Sequence, residues 1–359
     1  MKQALALARK GTGQVSPNPA VGALLVRGST IVGRGYHRRA GGDHAEIHAL
    51  RQAGEKATGS TLYVTLEPCC FQGKTPPCTQ AILAAGVSRL IYGMEDPNPR
   101  VSGKGIAVLR EKGVRISGPV LEPECRAINQ PFIKFHQTGL PHVRAKWAMS
   151  LDGKIASSSG DSKWISSPDS RKKVHRMRAE LDAIAVGVGT VLADDPMLTA
   201  RISGPVRQPV RIIFDSTART PLSSNLVRTS EETPVCIVVT RHAPMRKVSA
   251  LRDAGCRILS AQSKNGRVSV KDTLRKLGRQ NIQSLLVEGG SAVLGDFFDR
   301  KAVDASTVFI SSDIVGGEKA LTPVGGLGNR RIRTKLCPID WSVCRKDRNI
   351  IVDSVYRKY

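Results

Sequence analysis

Aromatic residues are scarce in this 359-residue chain, at 4%, and that argues against a surface on which nucleic-acid bases stack. No apolar run reaches the roughly 20 residues a membrane-crossing helix needs, so no membrane partner is expected. The opening Met1-Lys2-Gln3-Ala4-Leu5-Ala6-Leu7-Ala8 lacks a cleavage-site pattern and reads as a first helix, not a signal peptide. Acidic residues are the minority, 30 against 55 basic, for a net charge of +25. The basic excess is spread along the chain with no tail or dense block, which suits anionic small substrates and also permits weak nucleic-acid binding. The 8 cysteines follow no regular spacing, which argues for a reducing, cytoplasmic compartment and metal binding over a disulfide framework. Internal repeats and long low-complexity tracts are absent. An apolar content of 40% argues against disorder, and the length allows two domains with ordinary cores.

What is present concentrates near the front. Gly42-Asp43-His44-Ala45-Glu46 is followed by Glu67-Pro68-Cys69-Cys70 and Pro76-Pro77-Cys78. One His and two Cys suit a catalytic zinc ion, which keeps its fourth position open for water. Zinc lowers the pKa of such a water to roughly 7. Glu46, two residues after the first ligand, is placed to move protons from that water to a departing amine, as in nucleobase deaminases. His44 and Cys78 both fall where helices begin, over Ala45–Ala53 and from Thr79 onward to Gly86, and a helix N-terminus favours a thiolate. Two plainer readings stand beside this one. Asp43 and Glu46 can form a capping-box variant. A structural zinc can recruit His48 or Cys70 as a fourth protein ligand.

The first part reads helix, hairpin, helix, strand, helix, strand, with the hairpin turning at Arg27-Gly28-Ser29. Strands are expected at Thr61–Leu66 and Arg89–Gly93, a helix over Ile106–Lys112 and a closing strand at Val114–Ile116. The pattern restarts around Gln137–Pro141, so domains are expected over 1–140 and 141–359. In the second, strands are expected at Ala183–Val188, Val210–Phe214, Val235–Val239, Ser284–Val287, Thr307–Ile310 and Asn349–Val352. Alternating strands and helices make both parts layered α/β domains. Glu288-Gly289-Gly290-Ser291 leads from a strand into a helix over Ala292–Phe298, where glycines let backbone amides approach an anion; a plain tight turn fits equally. Gly187-Val188-Gly189-Thr190 does not complete the dinucleotide fingerprint.

Taken together, the chain strongly resembles the bifunctional deaminase–reductase family of riboflavin biosynthesis over nearly its whole length. The resemblance rests on Pro17–Gly22, His44–Glu46, Val64–Cys69, Gly73–Cys78 and Asp96–Pro99 in the first half. In the second it rests on Ser150–Lys154, Ser162–Ile165, Gly189–Val191, Ala193–Pro196 and Val287–Gly290. The wide Cys spacing, with Gly-Lys-Thr-Pro-Pro inside it, is more discriminating than the general deaminase motif. This resemblance implies an N-terminal cytidine-deaminase-like three-layer α/β domain and a C-terminal dihydrofolate-reductase-like α/β domain. The first would hydrolytically deaminate 2,5-diamino-6-ribosylamino-4(3H)-pyrimidinone 5′-phosphate, and the second would reduce the ribosyl side chain to ribityl with NADPH.

By the same resemblance, His44, Cys69 and Cys78 hold zinc and Glu46 is catalytic, while Asn18 orients the pyrimidine and His37, Lys74 and Thr75 meet the ribose phosphate. Lys146, Ser162, Arg178, Leu198, Arg201 and Glu288 become reductase substrate contacts; none is an obvious proton donor for the reduction, and Lys146 is the choice made among them. Ala148, Trp164, Thr190, Asp194, Ser216, Gly290 and Ser291 become NADPH contacts. Expected partners are therefore a phosphorylated pyrimidine, zinc and NADPH, with a homo-oligomer, dimer or tetramer, and no nucleic acid. Two departures stand out: Cys70-Phe71 where many relatives carry Ser-His, and Trp147 where a smaller residue is usual. The rival readings are a tRNA adenosine deaminase and a binding module with an inert deaminase fold.

Overall fold

The computed structural model describes residues 1–359 apart from Lys74, Thr75 and Pro205. The chain divides into two compact units, Met1–Gly139 together with Tyr359, and Leu140–Lys358.

In the first unit α1 (Lys2–Arg9) buries Ala4, Leu5 and Ala8 along one stripe. A hairpin follows, β1 (Gly22–Arg27) and β2 (Thr30–Tyr36), and then α2 (Ala45–Ala53), β3 (Thr61–Val64), α3 (Cys78–Ala84) and β4 (Arg89–Tyr92). The unit closes with α4 (Lys104–Glu111), β5 (Arg115–Ser117), α5 (Glu122–Ile128) and α6 (Gln130–Thr138). Among the described residues its sheet has the order β2-β1-β3-β4-β5. The first three strands pair antiparallel and the last three parallel. Fully buried Ala23, Leu25, Leu62, Val64 and Leu90 of the strands pack with Ala45, Ala49, Cys78 and Ile82 of α2 and α3 in one core. The starts of α2 and α3, where His44 and Cys78 sit, are thereby fixed against the sheet.

The second unit runs β6 (His142–Met149), α7 (Pro168–Glu180), β7 (Ala183–Gly187), α8 (Val188–Asp194), β8 (Val210–Phe214), α9 (Asn225–Arg228) and β9 (Val235–Val239). It continues through α10 (Met245–Asp253), β10 (Arg257–Ser260), β11 (Ser263–Lys264), β12 (Arg267–Val268) and α11 (Val270–Arg279). The last elements are β13 (Ser284–Glu288), α12 (Ser291–Asp299), β14 (Ala305–Ser311), β15 (Asp340–Lys346) and β16 (Asn349–Val355). The main sheet has the order β10-β9-β8-β7-β13-β6-β14-β16-β15. From β10 to β14 the strands are parallel, and β16 and β15 add antiparallel to that edge.

Both sheet faces are covered. Leu286 of β13 and Ile213 of β8 join one core, whereas Leu285, Val287, Ile212 and Phe214 join the other. Such strands read as unbroken apolar runs, which is why most of them were anticipated. The structure adds elements that the sequence pattern does not announce: β6, β10, the β11–β12 hairpin, β15, and the pair α5 and α6. Helix α3 also starts one residue earlier than expected, at Cys78 itself.

Candidate active sites

The first site is built from two helix starts and one loop. His44 is the N-cap of α2 and Cys78 is the first residue of α3. Cys69 lies on the loop after β3, and its position is set from both sides. The Cys78 amide donates to Cys69 Sγ at 3.3 Å, and the Thr79 amide donates to the Cys69 carbonyl at 3.2 Å. On the other side Glu67, buried, accepts from the amides of Asp96 (3.2 Å), Gly103 (2.9 Å), Gly105 (2.9 Å) and Ile106 (3.2 Å). A carboxylate at the start of α4 thus anchors the metal loop. Gly105 is required there, because a Cβ at that position would lie 2.0 Å from the Pro68 carbonyl oxygen.

These constraints bring the donors together. His44 Nδ1 lies 3.2 Å from Cys78 Sγ and 3.5 Å from Cys69 Sγ. Tetrahedral zinc bonds place such donors about 3.6–3.8 Å apart, so the three residues fit the metal with small adjustments. Among the described residues this group comprises three ligands, His44, Cys69 and Cys78, without Cys70 or His48. That count matches the catalytic type of zinc site, with its open position, and not the four-ligand structural type. The Cys69 thiol is held down at about 4, first by the hydrogen bond from Cys78, and the same bond with burial pushes the Cys78 thiol up.

Glu46 is the second residue of α2 and is 3% exposed. Burial raises its pKa above the ordinary 4.5, opposed by the His44 charge, which suits a group that takes up a proton and gives it away. His37 differs from expectation. It is buried, its Nδ1 lies 3.0 Å from the Asp43 carbonyl, and its Nε2 lies 3.0 Å from Asn18 Nδ2. Burial lowers its pKa. A neutral ring donating from Nδ1 then accepts from the Asn18 amide, so both ring nitrogens are occupied and the residue is suited to orienting Asn18, not to meeting a phosphate. Lys74 and Thr75 lie outside the described residues. In the loop after Cys69, the Phe71 ring carries the Arg100 guanidinium 5.7 Å above its centre.

The second site is a cavity of about 930 Å³ in the second unit, at the C-terminal ends of β6, β7, β8 and β13. Ligands of open parallel sheets bind at such an edge. Glu288 ends β13 and accepts two bonds from Arg178 of α7, at 2.7 Å from Nε and 2.8 Å from Nη2. Lys146 Nζ of β6 stands 3.6 Å from the same carboxylate. Burial alone would raise the Glu288 pKa, but Arg178 and Lys146 hold it at about 2, and burial lowers the pKa of Lys146.

The cavity is lined by Lys146, Ala148, Ser162, Arg178, Thr190, Asp194, Leu198, Ser216, Glu288, Gly290 and Ser291, all anticipated as ligand contacts. Arg201 and Trp164 are not in that lining. Arg201 is exposed, with its amide bonded to His175 Nδ1 at 3.2 Å and Nη1 3.4 Å from Thr199 Oγ1. Trp164 is 71% exposed and stacks on the Arg171 guanidinium at 4.4 Å. The lining also includes Trp147, Arg219 and Arg267. Trp147 had been singled out only as a departure, and the two arginines carried no sequence signal, one lying on a polar turn and the other on a two-residue strand. The cavity suits a phosphate-bearing cofactor. Gly289 and Gly290 have φ +75° and +77°, which L side chains rarely adopt, and they lead into the nine-residue α12 and its positive end. Trp147 Nε1 is buried and has no hydrogen-bond partner among the described residues.

Comparisons with known proteins agree with both sites. A model of the cytidine and deoxycytidylate deaminase zinc-binding region matches residues 1–94, and one of the RibD C-terminal domain matches residues 141–347. The riboflavin biosynthesis protein RibD of Aquifex aeolicus is 44% identical over 336 residues, covering 94% of this chain and 92% of that protein. That of Actinobacillus pleuropneumoniae is 43% identical over 332 residues, covering 92% and 88%. The chain belongs to the RibD family. Solved structures of relatives agree: RibD of Acinetobacter baumannii (form 1) superposes with a TM-score of 0.89 at 34% identity, covering 99% of this chain and 98% of that one. The Thermotoga maritima deaminase/reductase superposes at 0.85 with 37% identity, covering 99% and 97%.

This RibD family member is a bifunctional enzyme of riboflavin biosynthesis, with a zinc-dependent deaminase and an NADPH-dependent reductase activity. Its first unit is cytidine-deaminase-like and its second carries the RibD reductase fold. No helix among the described residues is long and apolar enough to cross a membrane.

Proposed function

We propose that residues 1–140 deaminate 2,5-diamino-6-ribosylamino-4(3H)-pyrimidinone 5′-phosphate and that residues 141–359 reduce the ribosyl chain of the product. The observation that carries this reading is the convergence of His44, Cys69 and Cys78 beside a buried carboxylate. Zinc held by those three residues supplies Lewis acidity that brings a water pKa to about 7. As the water oxygen bonds to the ring carbon that bears the amino group, Glu46 would take the water proton and deliver it to the departing exocyclic amino nitrogen, so that the C–N bond breaks, ammonia leaves and the ring gains a carbonyl. Asn18, held by the neutral His37, orients the pyrimidine, and Lys74 and Thr75 meet the phosphate.

In the reductase NADPH supplies the hydride. Lys146 gives the proton, and Glu288 holds Lys146 and Arg178 in place by direct contact. Arg178 has the planar donor fork that phosphate recognition uses, and its Nη1 also fixes the Thr199 carbonyl at 3.1 Å, steadying the loop that carries Leu198 and Arg201. Ser162 Oγ lies 3.4 Å from Asp194 Oδ1, joining two of the cavity segments. Ala148, Thr190, Ser216, Gly290 and Ser291 contact the cofactor. Arg201 and Trp164 join the ligands only if their segments close on them. A cytoplasmic location and a homo-oligomer, dimer or tetramer, belong to the same reading. The oligomer is supported by the exposed edge strand β15 with Trp341 and Val343.

The test is Glu46→Gln. Ammonia release should fall by at least about 10²-fold, while NADPH oxidation on supplied deaminated substrate stays at the wild-type rate. Loss of both activities in a folded variant would refute two separate sites.

A further inference from the structure

The charges around the reductase cavity do not balance among themselves. Its lining includes four basic side chains, Lys146, Arg178, Arg219 and Arg267, and three acidic ones, Asp194, Glu288 and Asp296. Glu288 is engaged by Lys146 and Arg178. Asp296 pairs with Arg300 at 3.2 Å, and Asp194 accepts from Ser162. Arg219 and Arg267 are left over. Neither guanidinium makes a hydrogen bond or ion pair among the described residues, and both are exposed.

Their backbones are nevertheless tied to one place. Arg219 stands on the turn after β8, where Asp215 Oδ2 accepts from the Thr220 amide and hydroxyl, each at 2.7 Å. Arg267 opens β12, and the amide of the next residue, Val268, donates to Ser216 Oγ of that same turn at 3.1 Å. Two unpaired guanidiniums are thus rooted at a common end of the cavity, around a residue assigned above to the cofactor.

The α12 start, with the positive-φ Gly289 and Gly290 ahead of it, suits a pyrophosphate. It lies at the tip of β13, and β8 is two strands away in the sheet, which at strand spacing is about 10 Å. A dinucleotide with its nicotinamide beside Lys146 on β6 and its pyrophosphate at α12 runs on toward β8 with its adenosine. The charge that meets Arg219 and Arg267 is then the third phosphate, on the adenosine ribose. Resting on the reading that this cavity holds NADPH, we propose that Arg219 and Arg267 clamp the 2′-phosphate and make the enzyme prefer NADPH over NADH.

Calorimetric titration of the full zinc-loaded chain with NADP+, NAD+, 2′,5′-ADP and 5′-AMP tests this without turnover. Wild type should bind NADP+ more tightly than NAD+, and 2′,5′-ADP more tightly than 5′-AMP. Arg219→Ala and Arg267→Ala should each weaken NADP+ and 2′,5′-ADP by about 10-fold or more and leave NAD+ within about twofold, which also shows the variants folded. Variants that keep the wild-type preference for NADP+ overturn the clamp alone. Equal weakening of NAD+ and NADP+ would place the arginines on the pyrophosphate and also overturn it. Wild type that binds neither dinucleotide overturns the cofactor reading and the clamp together.

Discussion

Glu288 shows how one side chain can carry both stability and function. It is 7% exposed and faces two cations, and its carboxyl is held at about 2 against the ordinary 4.5. A depressed carboxyl contributes stability that is fully present above about pH 4.5 and is lost as pH falls toward about 2. The shift corresponds to about 3 kcal/mol. Glu288→Gln should abolish that acid-dependent component and leave Arg178 and Lys146 buried without their carboxylate, at a cost of about 3–5 kcal/mol near neutral pH. Urea unfolding followed by tryptophan fluorescence measures this in the right unit, because Trp147, Trp164 and Trp341 all lie within Leu140–Lys358. An unchanged midpoint at pH 7 would show that the triad is not coupled. At this scale the first site was largely legible: His44, Glu46, Cys69 and Cys78 lie in short motifs whose residue types already name the chemistry. His37 was legible as a site residue but not in its role, since its bonds to the Asp43 carbonyl and to Asn18 depend on contacts no spacing reveals.

Among the elements, legibility followed burial. Strands β8 and β9 are buried or nearly so at every residue, and their apolar runs, interrupted in β8 only by the buried Arg211, gave their ends correctly. Strand β15 is exposed at almost every position and shows no pattern to read. Strand β6 carries Arg144 and Lys146 among its apolar residues, so the charge the site needs obscures the strand that presents it. Gly105 illustrates an element-level constraint that the sequence hid altogether. It lets the start of α4 touch the Pro68 carbonyl while Glu67 collects the neighbouring amides. Gly105→Ala should push the Cys69 loop away, lowering zinc content and ammonia release together while reductase activity persists. Full zinc occupancy in that variant would mean that α4 does not position the loop.

For the molecule as a whole, two folds with different cofactors are joined in one chain, and the resemblance over both halves was what tied either site to riboflavin chemistry. The charge of +25 did not have that power: spread along the chain, it fits an anionic substrate and a polyanion equally well. Arg219 and Arg267 show why a net charge is uninformative until the paired cations have been set aside. The most direct test of the account is ammonia release from the diaminopyrimidine ribotide, measured alongside bound metal by elemental analysis, before and after chelation and after zinc is restored. The account predicts about one zinc per chain, loss of ammonia release on chelation with NADPH oxidation on supplied deaminated substrate intact, and recovery when zinc returns. Undiminished ammonia release from protein stripped of divalent metal would contradict it.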